Sequence, residues 1–242
     1  MGRSRVSEPA ASIGPAASDY TQAISKGRCS CLQISPWCLS RGKRLFDFVV
    51  GVIALIVSSP VMLAVALIIK VTSPGPVLFS QIRVGKDGQL FRLMKFRTMT
   101  NRAEQSGPGV TQAGDQRITA AGRVLRKWKL DELPQMFHVV YGDMSLVGPR
   151  PDLPEYLEQL PPALNRLVCL RPGITGAATL RLRNEEELLA SVPASDLRRY
   201  YIFELMPQKA THDLNYAGCA TFRSDIALLI KTVAAILPSV QL

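Results

Sequence analysis

Asp131 and Glu132 stand side by side in Leu130-Asp131-Glu132-Leu133-Pro134, just after Arg123, Arg126, Lys127 and Lys129. Adjacent carboxylates alone usually mark a solvated helix start. Here the expected helix N-terminus and the preceding cations both favour the ionised form and a lowered carboxylate pKa. An ionised aspartate is a competent nucleophile towards phosphorus, provided the phosphate's charge is neutralised. A neighbouring carboxylate that holds Mg²⁺ would neutralise it, which explains why two carboxylates are useful together.

Three further clusters carry cations. In Phe91-Arg92-Leu93-Met94-Lys95-Phe96-Arg97-Thr98-Met99 a strand would project Lys95 and Arg97 from one face, since side chains alternate with a period of two. Two cations on one face suit a diphosphate or a phospholipid headgroup, and equally a solvated strand. In Gly148-Pro149-Arg150-Pro151 flanking prolines stiffen the backbone around one arginine. In Arg171-Pro172-Gly173-Ile174-Thr175-Gly176 the glycines are placed to present backbone N–H groups to an anion. His138 is expected to be a partly buried helix residue rather than a base.

These clusters need elements to hold them. Residues 48–69 run FVVGVIALIVSSPVMLAVALII without a charge, long enough to cross a bilayer as one helix. Ser58, Ser59 and Pro60 near its middle argue for a break, because proline removes a backbone hydrogen bond that nearby hydroxyls must replace. Arg41, Lys43 and Arg44 before the segment and Lys70 after it place cations at both ends, which favours a re-entrant hairpin. The residues alone leave spanning and re-entrant forms open. After the turn Thr72–Pro76, Val77–Arg83 and Gln89–Thr98 read as a β-hairpin around Gly85-Lys86-Asp87-Gly88. Residues 116–129, 132–141, 184–191, 195–206 and 223–237 carry helical patterns, and Gly142–Pro151 and Arg171–Gly176 read as loops. The expected fold is α+β and helix-rich: a disordered tail (1–40), a membrane-embedded helix-break-helix (41–70), and a small cytoplasmic domain (71–242) with a β-hairpin and amphipathic helices.

The chain has 242 residues and a formal net charge of +10. Half of that excess sits in residues 1–44, where seven basic groups face only Glu8 and Asp19. A basic tail suits anionic lipid, nucleic acid or phosphorylated ligands. A non-enzymatic basic membrane protein binding anionic lipid or nucleic acid is the competing class. It leaves the carboxylate pair and the Pro/Gly loops unexplained, and no helix-turn-helix, RNP or zinc pattern supports nucleic acid. No Walker-type or dinucleotide-binding glycine motif follows a strand either. Five cysteines without a C-x-x-C pair are expected to be free thiols.

Taken in order, Lys43-Arg44-Leu45-Phe46-Asp47, Ser59-Pro60, residues 75–99, DQRIT (115–119), GRVLRKWKLDELPQ (122–135), GDMSLVGPRP (142–151) and RPGITG (171–176) resemble the bacterial sugar transferase family, the monotopic polyprenyl-phosphate phosphoglycosyl transferases. The resemblance covers about residues 41 to 237. It implies that Asp131 is the nucleophile attacking the β-phosphate of a UDP-sugar, and that Glu132 is its Mg²⁺-associated partner. It implies phosphate or substrate contacts for Lys95, Arg126 and Arg150, to which the cation clusters add Arg97 and Arg171 as candidates, and it makes Ser59-Pro60 the break that turns the membrane helix back. The implied partners are a UDP-sugar, polyprenyl (undecaprenyl) phosphate and the bacterial cytoplasmic membrane, with the domain on its cytoplasmic face. A homodimer is left open. The segment GITGAATLRLRNEEELL departs from the pattern frequent in relatives, and Pro207-Gln208-Lys209 marks a longer C-terminal segment expected to shape the sugar or lipid pocket.

Overall fold

A computed structural model describes residues 34–100, 111 and 114–236 of the chain. Most of the expected tail lies outside them, but its last part is ordered. Ser35 caps the short helix α1 (Pro36–Leu39), and Trp37 donates its indole N–H to Asp225 at 2.9 Å. Ile34 is buried. Cys38 and Cys219 are free. Cys169 is disulfide-bonded, against the expectation of free thiols.

Helix α2 (Arg41–Thr72) is 32 residues long, with Pro60 inside it and Ser40 as N-cap. A proline lacks the N–H that would reach the carbonyl four residues back, here that of Ile56. The Ser59 hydroxyl donates to that same carbonyl at 2.8 Å. The helical pattern therefore continues through the Ser-Pro step instead of dividing there into two helices. The helix is long and apolar enough to cross a membrane. Its buried residues are Lys43, Asp47 and Gly51 near one end and Val65 and Ile69 near the other. Between them Ile53, Ile56, Val57 and Leu63 are exposed.

Both ends of α2 are fixed to the same body. Arg44 donates to the Val139 and Val140 carbonyls at 2.5 and 2.6 Å, and Asp47 accepts from the Leu146 amide at 3.1 Å. Lys43 pairs with Asp225 at 2.6 Å. At the far end Val65 and Ile69 pack with Phe96 and Leu125. Burying aliphatic side chains of this size is worth about 1.5–3 kcal/mol each.

Strands β1 (Leu78–Val84) and β2 (Leu90–Phe96) form the antiparallel hairpin within a residue or two of the expected bounds. A second, parallel pair joins β3 (Ser145–Val147) to β4 (Gly173–Thr175). It lies inside the two stretches expected to be loops, since three-residue strands flanked by Gly and Pro carry no period. Its glycines are required by close approach: a Cβ on Gly148 would run into the carbonyl of Arg171.

Helix α3 (Ala120–Lys127) starts four residues later than expected, where the Thr119 hydroxyl accepts from the Gly122 amide. It stops at Lys129, which adopts the left-handed conformation with φ 53°. A 3₁₀ turn, Leu130–Gln135, follows, and then α4 (Met136–Tyr141). Beyond lie α5 (Pro154–Leu157), α6 (Ala177–Arg181), α7 (Glu185–Ala190), α8 (Leu197–Tyr200), a π turn at Tyr201–Leu205, α9 (Met206–Cys219) and α10 (Phe222–Ile236). The main core gathers Tyr156, Leu160, Leu189, Leu197, Leu205 and their neighbours under α9. The described structure is helix-rich α+β with a long apolar N-terminal helix and a small β-hairpin.

Candidate active site

Asp131 sits in the first turn of the 3₁₀ segment, which β2 and α3 flank. The αL residue Lys129 reverses the chain so tightly that Leu130 and Leu133 pack against α2. Asp131 is left pointing inward, 6% exposed. Its Oδ1 is buried and has no hydrogen-bond partner. Glu132 instead meets the Arg150 fork, with Nη2 donating at 2.6 Å and Nη1 at 3.5 Å.

The two neighbours are pushed in opposite directions. Burial foremost, then the Glu132 charge, raises the Asp131 carboxyl to about 6 against opposing Lys95, Arg126 and Lys129. The expectation that a helix terminus lowers Asp131 fails, because desolvation in a tight 3₁₀ turn outweighs the dipole. Glu132 is held below the usual range despite its burial, with the charge of Arg150 the chief opposing cause. Lys95, under the cation–π reach of Phe79 at 5.4 Å, is lowered to about 8 by burial.

The structure brings Lys95, Arg126 and Arg150 together around the carboxylate pair: Asp131 feels the charges of the first two, and Glu132 those of Arg150 and Lys95. Arg126 donates Nε to Thr98 at 3.0 Å and Nη1 to Glu186 at 3.3 Å. Arg97 is not brought there. It lies one residue beyond β2, where its guanidinium donates to the Ser73 and Pro74 carbonyls at 2.8 and 2.9 Å and closes the end of α2. Arg171 donates to the Gly142 carbonyl at 2.9 Å. It lines a separate cavity of about 20 Å³ with Lys43, Asp47, Asp213 and Asp225, room for about one water. The Gly173 and Gly148 amides are spent on Pro149 and Thr175 carbonyls, so neither is offered to an anion.

His138 accepts from the Met94 amide at Nε2 and faces Asp143 at Nδ1, 3.0 Å away. Both ring nitrogens are engaged, Nε2 holding α4 to β2 and Nδ1 holding the residues that follow α4, as expected of a buried helix histidine.

Sequence reasoning missed the shell around Arg150. Arg83 grips the Pro151 carbonyl at 3.2 Å. Tyr201 donates to Asp152 at 2.9 Å, and buried Lys209 joins Tyr201 at 3.2 Å and Glu185 at 3.1 Å. The one sequence signal was the pairing of NEEELL with the Pro-Gln-Lys segment in an otherwise basic chain. No cluster of three Asp, Glu, His or Cys ligands occurs among the described residues, so they form no closed metal cage by themselves. Two adjacent carboxylates with an orphaned oxygen do fit the open pattern of Mg²⁺, whose shell is completed by substrate phosphates and water.

A family model described as bacterial sugar transferase matches residues 39–239. A UDP-N-acetylgalactosamine-undecaprenyl-phosphate N-acetylgalactosaminephosphotransferase of Aeromonas hydrophila is 40% identical over 199 residues, covering 81% of this chain and 43% of the relative. A UDP-glucose:undecaprenyl-phosphate glucose-1-phosphate transferase of Caulobacter vibrioides is 38% identical over 201 residues, 81% of this chain and 69% of the relative. An exopolysaccharide production protein of Rhizobium leguminosarum is 37% identical over 201 residues, 80% of this chain and 94% of the relative. The matched region thus spans less than half of the first relative and nearly all of the third.

Proposed function

The chain belongs to the bacterial sugar transferase family, and on that premise we propose that it moves a sugar-1-phosphate from a UDP-sugar to undecaprenyl phosphate, priming glycan assembly. The carrying observation is the unpartnered, buried Asp131 Oδ1 set among Lys95, Arg126 and Lys129. An isolated carboxylate oxygen kept from water and from any ion pair is a poor structural element and a good nucleophile.

In this reading Asp131 attacks the β-phosphorus of the donor. The bond from that phosphorus to the bridging oxygen breaks, UMP leaves with the oxygen, and a phosphosugar–aspartate forms. An oxygen of the lipid phosphate then attacks the same phosphorus and displaces the Asp131 carboxylate. Lys95, Arg126 and Arg150 bind and orient the phosphates. Mg²⁺, held by Glu132 and Asp131, would supply further neutralisation of the diphosphate.

The membrane reading rests on α2. Its exposed face carries Ile53, Ile56, Val57, Leu63, Leu67 and Val71, while both its ends are bound to the catalytic body. In this reading the single helix, tied at both ends to one body, dips into the bilayer from one side, with Pro60 near the deepest point of its path. The cations at both ends of α2 (Arg41, Lys43, Arg44 and Lys70) support, in the same reading, a domain on the cytoplasmic face of the cytoplasmic membrane.

The test is nucleotide release by the detergent-solubilised chain with Mg²⁺, undecaprenyl phosphate and a panel of UDP-sugars. Release of UMP with one donor, lost in Asp131→Asn, is expected. Release of UDP would mean transfer without the phosphate and would overturn the mechanism. Silence with every donor would favour the non-enzymatic class.

A further inference from the structure

Helix α7 brings three consecutive carboxylates, Glu185 to Glu187, to the edge of a site whose proposed substrates are anions. Glu185 is anchored to the buried Lys209 at 3.1 Å. Its neighbour Glu186 reaches Arg126 at 3.3 Å, and Glu187 is exposed. Within the Arg126 pair the guanidinium is the fixed member: its side chain is 15% exposed and is also held through Thr98, whereas the Glu186 side chain is 48% exposed. The carboxylate is therefore the partner free to leave.

Resting on the reading of Arg126 as a phosphate contact, we propose that Glu186 is a placeholder anion, occupying in the free enzyme the position on Arg126 that a donor phosphate takes on binding. A carboxylate and a phosphate meet a guanidinium through the same pair of acceptor oxygens, so one can substitute for the other. The Glu185–Lys209 pair sets the register of α7, so that the next residue faces Arg126. A phosphate carrying more charge and more acceptors displaces Glu186 into solvent, which costs little because that side chain is already half-exposed. Weakly bound anions do not displace it, so Glu186 raises the threshold for occupying Arg126.

The test is calorimetric titration of inorganic pyrophosphate into the full-length, detergent-solubilised chain at fixed Mg²⁺. Glu186→Gln is expected to bind pyrophosphate about two- to fivefold more tightly than the unaltered chain, the range an exposed ion pair commands. Glu187→Gln removes the same charge from the same helix without the contact and is expected to leave the affinity unchanged. In an Arg126→Gln background the gain from Glu186→Gln should vanish. No gain in Glu186→Gln, or an equal gain in Glu187→Gln, overturns the placeholder role and leaves the proposed reaction standing. If Arg126→Gln itself binds pyrophosphate normally, the phosphate-binding role of Arg126 fails, and the placeholder role with it.

Discussion

Arg150 closes on Glu132 at 2.6 Å, while Asp131, the carboxylate next to it in sequence, keeps a buried oxygen with no hydrogen-bond partner. One member of the pair is neutralised and held low, and the other is isolated and raised to about 6. The arginine fork thus sets the two apart, and the proposed function gives the charge-holding role to Glu132 and the reacting one to Asp131.

Asp131→Asn should abolish turnover and at the same time stabilise the fold at neutral pH. The folded-state pKa of about 6 lies above the usual aspartate range, so ionised Asp131 destabilises the folded chain. That penalty grows as pH rises from about 4 to 6 and is constant above. A shift of this size corresponds to about 3 kcal/mol at most. Melting curves against pH should place the variant above the parent at pH 7 and equal to it below pH 4. A lower melting temperature at pH 7 would mean that contacts hold the carboxylate.

The rate should be bell-shaped in pH. Below about 6 the Asp131 nucleophile is protonated, and above about 8 Lys95 loses its charge. Lys95→Arg should carry the alkaline limb upwards and leave the acid limb in place. An alkaline limb that stays put in that variant would assign it to another group.

Arg150→Lys should not rescue Arg150→Met, because a point charge cannot reproduce the two-pronged contact with Glu132. Each is expected to lower kcat/KM by on the order of 10²–10³. A loss under threefold in both would make Arg150 a scaffold residue.

Arg97→Met should cost stability and spare donor binding. Among the described residues its side-chain bonds reach Ser73 and Pro74 in the turn that ends α2. Losing buried charge-assisted bonds of this kind is worth about 1.5–3 kcal/mol, read as a lower melting temperature with an unchanged KM for the UDP-sugar. A raised KM would return Arg97 to the substrate.

Strong local signals made much of this legible in the sequence. The hairpin followed from alternation around Gly85–Gly88, and Ser59 beside Pro60 announced a hydroxyl cover for the freed carbonyl, which Ile56 indeed receives. The carboxylate pair stood out by its cations. What stayed hidden depends on contacts distant in sequence. Glu186 lies 60 residues from Arg126, and Tyr201 lies 49 from Asp152. Arg97 was assigned to the same face as Lys95 by the period of two, but the strand ends at Phe96 and the rule ends with it. The raised Asp131 likewise depends on burial, which no local pattern encodes.

Consecutive residues of one hairpin arm run from the reacting centre to the apolar helix. Lys95 lies within the influence of Asp131, Phe96 packs on Val65 and Ile69, and Arg97 bolts the turn after α2. The arm behaves as a ruler. If α2 lies among acyl chains, as proposed, the arm fixes the height of Asp131 above them. On the proposed reaction the acceptor's phosphate would lie at the headgroup plane, so that lipid and Asp131 would meet at a shared height without the second substrate being lifted out of the bilayer.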